Sequence, residues 1–219
     1  MGVMAKPARL PTDLRHVRPV QPLQFPSSDP EWEMPESKRH KRLCALLYSI
    51  LAHNFAAQHS MGSDQFVYFD TRQPKRCLAP DAFVKLGTPD DDFRSWSTWE
   101  RGIPEVCVEI LSPSDTKEKL TFRTKLARYR ALGTPELVAF DIDAPAGTRL
   151  RAWDRVGRKL VERDVTHETT PCRTLGLHWV LAGGDGLPVA LRLARDPEGR
   201  ELLLTKVEYL ERLLADPAR

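Results

Sequence analysis

Two carboxylates lodged in strand-like runs constrain this chain more than any other feature. Asp81 lies within Ala79-Pro80-Asp81-Ala82-Phe83-Val84, and Glu109 within Pro104-Glu105-Val106-Cys107-Val108-Glu109-Ile110-Leu111. Each run is short, apolar, rich in β-branched or aromatic side chains, and bounded by Pro, Gly or Ser, which is the pattern of a strand. A carboxylate inside a strand loses its hydration unless something positive meets it. Two of them on neighbouring strands make a seat for a hard divalent cation.

The positive partner comes from helical geometry. After Ser112-Pro113-Ser114-Asp115, the chain reads as helix to Leu132, with Asp115 as N-cap, Glu118 completing a capping box, and Gly133 and Pro135 as the stop. On a wheel of about 100° per residue, Phe122, Leu126, Tyr129 and Leu132 share one face, and Lys125 falls inside that apolar arc. A lysine aimed at the core needs an anionic partner, and Asp81 and Glu109 are the candidates. Lys117, Lys119, Arg123, Arg128 and Arg130 lie mostly outside the arc. Residues 116–132 hold six basic side chains and one acidic one. That face could track a phosphate backbone, and it reads equally as a solvated helix surface.

The flanking pattern supplies the rest of a topology. A helix from about Lys38 to Gln58 places Leu43, Leu46, Leu47, Ile50 and Leu51 on one face. Strands are expected at 65–70, around Asp81, at 104–111 and at 136–142, the last with the continuous apolar character of burial on both faces. The order is helix, three strands, helix, strand in a mixed sheet. Beyond it come a hairpin near 149–154 and 159–164, short strands at 175–181 and 187–193, and a closing helix at 203–214. The polar loop 87–102 carries Asp90-Asp91-Asp92, which lacks the spacing of a calcium loop and reads as a solvated turn. Its Trp96 and Trp99 either cover the sheet or rim a cleft where bases could stack.

At this point the residues carry a resemblance. PDAFVKLG, PEVCVEILSPSD and KLARYRALGTPELVAFDID resemble the Uma-two family of restriction-endonuclease-like proteins, within the PD-(D/E)XK nuclease superfamily. Asp81, Glu109, Lys125, Tyr129 and Gly133 match that pattern position by position. The superfamily lysine usually stands two residues after the acid, where this chain has Leu111. In the Uma-two pattern it sits on the following helix, in agreement with the wheel. Thr121 stands where an aspartate is common, and Leu137 where a tyrosine is. The resemblance runs from about residue 33 to the end, with its specific motifs in 80–141.

It implies an α/β (α+β) fold with a restriction endonuclease-like core, and metal-dependent hydrolysis of nucleic-acid phosphodiesters. Asp81, Glu109 and Lys125 would be the catalytic residues. Asp81, Glu109 and the backbone carbonyl of Ile110 would hold Mg2+ or Mn2+. His40, Arg123 and Tyr129 are the expected substrate contacts, His40 because the family frequently carries a histidine there. Its rival reading is a polar residue in the first helical turn. DNA is the expected nucleic acid, and a homodimer the expected assembly, since cutting both strands calls for two sites. A nuclease-derived module that binds nucleic acid or a protein without cutting is the alternative, as is a Lys125 ion pair that only holds helix to sheet.

Composition bounds these expectations. The 219 residues suffice for one domain with a sizeable core, here expected over 31–219, behind an extended arm at 1–30 that contains six prolines. A net charge of +3 permits nucleic-acid binding without arguing for it. The four cysteines show no C-x-x-C pair and no metal-ligand spacing, and Cys44 and Cys107 read as small core residues. No apolar run approaches the roughly 18 residues that span a bilayer. Without a signal-peptide core either, no membrane association and a cytoplasmic location are expected.

Overall fold

The computed structural model describes residues 23–26, 37–113 and 120–215. Helix α1 (Lys38–Phe55) starts at Ser37, whose side chain accepts a hydrogen bond from the His40 amide at 3.1 Å. The predicted leucine and isoleucine stripe is its buried face. The chain then turns directly into β1 (His59–Gly62), which pairs antiparallel with β4 (Ala82–Leu86). Between them β2 (Val67–Tyr68) and β3 (Cys77–Leu78) leave the main sheet and join β5 (Trp96–Ser97) in a small one of their own. The first core strand is therefore 59–62, where His-Ser-Met-Gly offers no β-branched or period-two signal, and not the expected 65–70.

Strand β6 (Val106–Leu111) lies antiparallel to β4. The short α2 (Thr98–Arg101) closes the loop before it, and Trp96 is wholly buried while Trp99 is largely exposed. Helix α3 (Phe122–Leu132) crosses over from β6 to β7 (Glu136–Asp141), and the two strands pair in parallel. The expected capping residues Asp115 and Glu118 lie outside the described residues. The helix starts at Phe122, and Thr121 caps it by accepting from the Thr124 amide at 3.3 Å. Gly133 ends it in the left-handed conformation, φ 92°, with its N–H on the Tyr129 carbonyl; any Cβ would strain that turn.

Strands β8 (Leu150–Val156) and β9 (Lys159–Arg163) form the expected hairpin and complete a six-stranded sheet in the order β1-β4-β6-β7-β8-β9. A second antiparallel sheet holds β10 (Thr169–Cys172), β11 (Leu177–Gly184) and β12 (Leu187–Ala194), followed by α4 (Lys206–Ala215). Sequence patterning misses β10 because Pro171 sits inside it.

The main sheet is covered on both faces. Along β6, Val106, Val108 and Ile110 join a core built with α1 and the C-terminal sheet. Cys107 faces the opposite way, into a core with Tyr129 and Leu132 of α3 and with Trp96. Alternation along one strand thus serves two layers, and the carboxyl end of β6 is where both layers meet. This mixed α+β arrangement is consistent with a restriction endonuclease-like fold. Among the described residues no helix is long and apolar enough to cross a membrane. Of the expected arm, residues 23–26 are described: the Phe25 ring packs edge-on to Tyr68 and Trp99, at 5.2 and 5.1 Å.

Candidate active site

Asp81 sits at the bend that leads into β4, and two contacts from the turn after β1 pin its backbone. The Ser63 hydroxyl donates to the Asp81 carbonyl at 2.8 Å, and the Asp64 amide donates to the Pro80 carbonyl at 2.9 Å. The side chain then turns into the sheet. Its Oδ2 accepts the Ile110 amide at 2.5 Å, taking the place of a backbone acceptor at the end of the ladder. Its Oδ1 faces α1, where it meets His40 Nε2 at 3.1 Å and the Cys44 thiol at 3.7 Å. The other His40 nitrogen, Nδ1, is 3.0 Å from the Ser112 hydroxyl.

Glu109 points to the other layer, toward α3. Lys125 Nζ reaches its Oε2 at 2.5 Å, and the Tyr129 hydroxyl donates to its Oε1. Continuing the β4–β6 register from Ala82↔Val108 sets Asp81 opposite Glu109. Lys125 is one turn before Tyr129, so a single helix face delivers both groups to both oxygens of one carboxylate.

Electrostatics at Glu109 are unusual. It is 1% exposed, and burial pushes its carboxyl up from 4.5 to about 7. Lys125 is the largest opposing influence, and the Asp81 charge pushes upward as well. Desolvation thus outweighs one ammonium group when a second acid lies nearby. Burial, with Glu109 beside it, holds the Tyr129 hydroxyl well above its ordinary value, so it remains a donor.

The sequence-predicted residues thus fall in different relations to one another. Lys125 and Glu109 are in contact, Asp81 is within electrostatic reach of Glu109, and Tyr129 underlies Glu109. Tyr129 has no exposed surface, so the expectation that it contacts substrate gives way to one in which it positions Glu109. His40 is buried and bonded to Asp81, which places it within the site's framework. Arg123 is exposed on the outer side of α3. Ile110 supplies its amide to Asp81.

Sequence reasoning misses Ser112, which meets the His40 ring. Cys44 is the small core residue expected, and its thiol also reaches Asp81. The spacing of His40 and Cys44, one helical turn apart, is a signal in the sequence, but its partner is 37 residues further on. His40, Cys44 and Asp81 could hold a metal ion, with donor atoms within 4.8 Å of one another. Glu109 with Asp81 offers oxygen donors alone. Restriction endonuclease-like families usually use a divalent metal.

No curated protein matches the chain. A family model, Uma2, described as "Putative restriction endonuclease", matches residues 30–193. With three-quarters of its length matched, on a fold that brings the lysine of α3 to the acid of β6, this chain belongs to the Uma2 family.

Proposed function

We propose that the protein is a metal-dependent endonuclease that hydrolyses nucleic-acid phosphodiester bonds, with Asp81, Glu109 and Lys125 as its catalytic residues. The observation that carries this reading is the contact of Lys125 with Glu109 at 2.5 Å, on the strand position that faces Asp81. Among the described residues Lys125 meets Glu109 and the His40 ring meets Asp81, and burial pushes the Glu109 carboxyl up to about 7. Carboxylate oxygens from two neighbouring acids fit a hard divalent cation, Mg2+ or Mn2+, with the Ile110 carbonyl as a further oxygen ligand. When bound, that cation supplies charge for the developing phosphorane oxygens and acidifies a water.

The side chains do the rest. Tyr129 and Lys125 hold the Glu109 carboxylate in one orientation. Lys125 also presents its ammonium group to the phosphate as negative charge develops there. Arg123, exposed on the same helix, contacts the backbone phosphates, and His40 keeps Asp81 in place. DNA is the proposed substrate, and a homodimer would bring two such sites to the two strands.

Plasmid cleavage with Mg2+ or Mn2+ tests the reading. Wild type should cut and Asp81→Asn should not, and Mn2+ should raise the melting temperature of the wild type alone. If calorimetry detects no Mn2+ binding at millimolar metal, or Asp81→Asn cuts normally, the proposal is wrong.

A further inference from the structure

We infer that His40, Cys44 and Asp81 form a binding site for a borderline transition-metal ion of the zinc class, on the α1 side of the sheet. Three observations combine. The first is the kind of donor: an imidazole nitrogen, a thiol and one carboxylate oxygen. Mg2+ takes oxygen ligands, whereas Zn2+ and its neighbours take nitrogen and sulfur. This set shares Asp81 with the oxygen set of Asp81 and Glu109 but differs from it in offering nitrogen and sulfur.

The second is the spacing. Zinc bonds of the usual lengths, arranged tetrahedrally, give ligand-to-ligand edges of about 3.4 Å between nitrogen and oxygen and about 3.6 Å between sulfur and oxygen. The corresponding separations are 3.1 Å for His40 Nε2 to Asp81 Oδ1 and 3.7 Å for Cys44 Sγ to Asp81 Oδ1. Both edges that meet at Asp81 Oδ1 thus match a coordination polyhedron to a few tenths of an ångström, and all three donor atoms lie within 4.8 Å of one another.

The third is support behind the ligands. Ser112 Oγ lies 3.0 Å from His40 Nδ1, and the Ile110 amide holds Asp81 Oδ2. Both leave the inner atoms, Nε2 and Oδ1, facing Cys44. With a metal on Nε2 the imidazole carries its proton on Nδ1 and donates it to the Ser112 hydroxyl, which can accept as readily as donate. The Cys44 thiol loses its proton to solvent as the sulfur–metal bond forms. A dication, one thiolate and one carboxylate then sum to zero charge, which suits a place where the three side chains belong to residues 4–8% exposed. Three protein ligands leave a fourth position for water.

Titration of the metal-free, full-length protein with Co2+ tests this without any nucleic acid, so its outcome stands apart from the cleavage assay. The expected result is one Co2+ per chain, with a thiolate-to-cobalt charge-transfer band in the near ultraviolet and the strong visible bands of a four-coordinate ion. Zn2+ should displace it stoichiometrically. Cys44→Ser, nearly isosteric, should abolish the charge-transfer band while the circular dichroism remains that of the wild type. Ser112→Ala should weaken binding by about 10–100-fold. Absence of a charge-transfer band at stoichiometric Co2+ in the wild type, or its persistence in Cys44→Ser, overturns the inference.

Discussion

The sheet buries two glutamates on neighbouring strands, and they are solved differently. Glu136, at the start of β7, is 1% exposed; Arg163 reaches its Oε1 at 2.7 Å and the Thr174 amide its Oε2 at 3.0 Å. Arg163 also bonds Asp154 at 2.6 Å, and Arg173 meets the same aspartate at 2.9 Å. Two acids there face two guanidinium groups. At the end of β6, Glu109 and Asp81 have Lys125 as the cation on Glu109, and burial drives the Glu109 carboxyl up to about 7. A buried acid with balanced partners holds a hairpin in place. At the other pair Lys125 meets Glu109 and His40 meets Asp81, and it is there that the proposed cation would add its charge.

The largest expected difference between the two regions lies in activity against stability. Asp81→Asn should reduce cleavage by roughly a thousandfold, on the scale of losing a group that stabilises the transition state, with little change in melting. Arg163→Ala should do the reverse. It strands Glu136 and Asp154 and should cost about 3–5 kcal/mol in denaturant unfolding, while each remaining folded molecule still cuts. If Arg163→Ala is the more damaging to turnover per folded molecule, the contrast between the two glutamates fails.

Next in size is Lys125→Met, which keeps most of the aliphatic stem but removes the charge. Cleavage should fall by roughly a hundredfold. Its stability cost, measured in the metal-free protein, should be greater at pH 8 than at pH 5, because a neutral Glu109 has no need of the ammonium group. An equal cost at both pH values would mean that the pair is not electrostatic.

Glu109 also gives the metal-free protein a pH dependence of known sign. Its folded value, about 7, lies above the ordinary 4.5, so the folded protein binds the proton more tightly than the unfolded chain. The stabilisation is fully present below 4.5 and is lost as pH rises to about 7. Glu109→Gln should flatten the melting temperature across that window, and an unchanged slope would assign it to other groups. The smallest effect belongs to Tyr129→Phe. Losing one buried hydrogen bond should cost about 1–3 kcal/mol and raise the apparent pKa of Glu109 further.

Much of this contrast is legible in the sequence, but unevenly. The position of Lys125 on the apolar arc of α3 follows from helical periodicity, and so does its need for an acid. Runs of Val and Ile announce β6 and β7, and Gly133 announces the end of α3. The Thr121 cap is harder to see, because Asp115 with Glu118 offers a better capping signal upstream. Cys44 looks like any small apolar residue on an apolar stripe until α1 is laid against the bend at Asp81. Arg163 pairs with a glutamate 27 residues earlier, through two strand registers that no local pattern specifies. Contacts set within one helix or strand are readable; those set by how elements are stacked are not.

The keying of β1 onto β4 extends further than an edge strand would suggest. Gly62 lies opposite Phe83, and a methyl group added to it would come within 2.2 Å of that aromatic ring. The very next residue, Ser63, tethers the carbonyl of Asp81. Bulk at position 62 would lever the strand outward and drag this tether along, displacing the carboxylate through the main chain. The aim of the acidic side chain at the entrance to β4 thus depends on the smallest side chain of β1, a hydrogen atom.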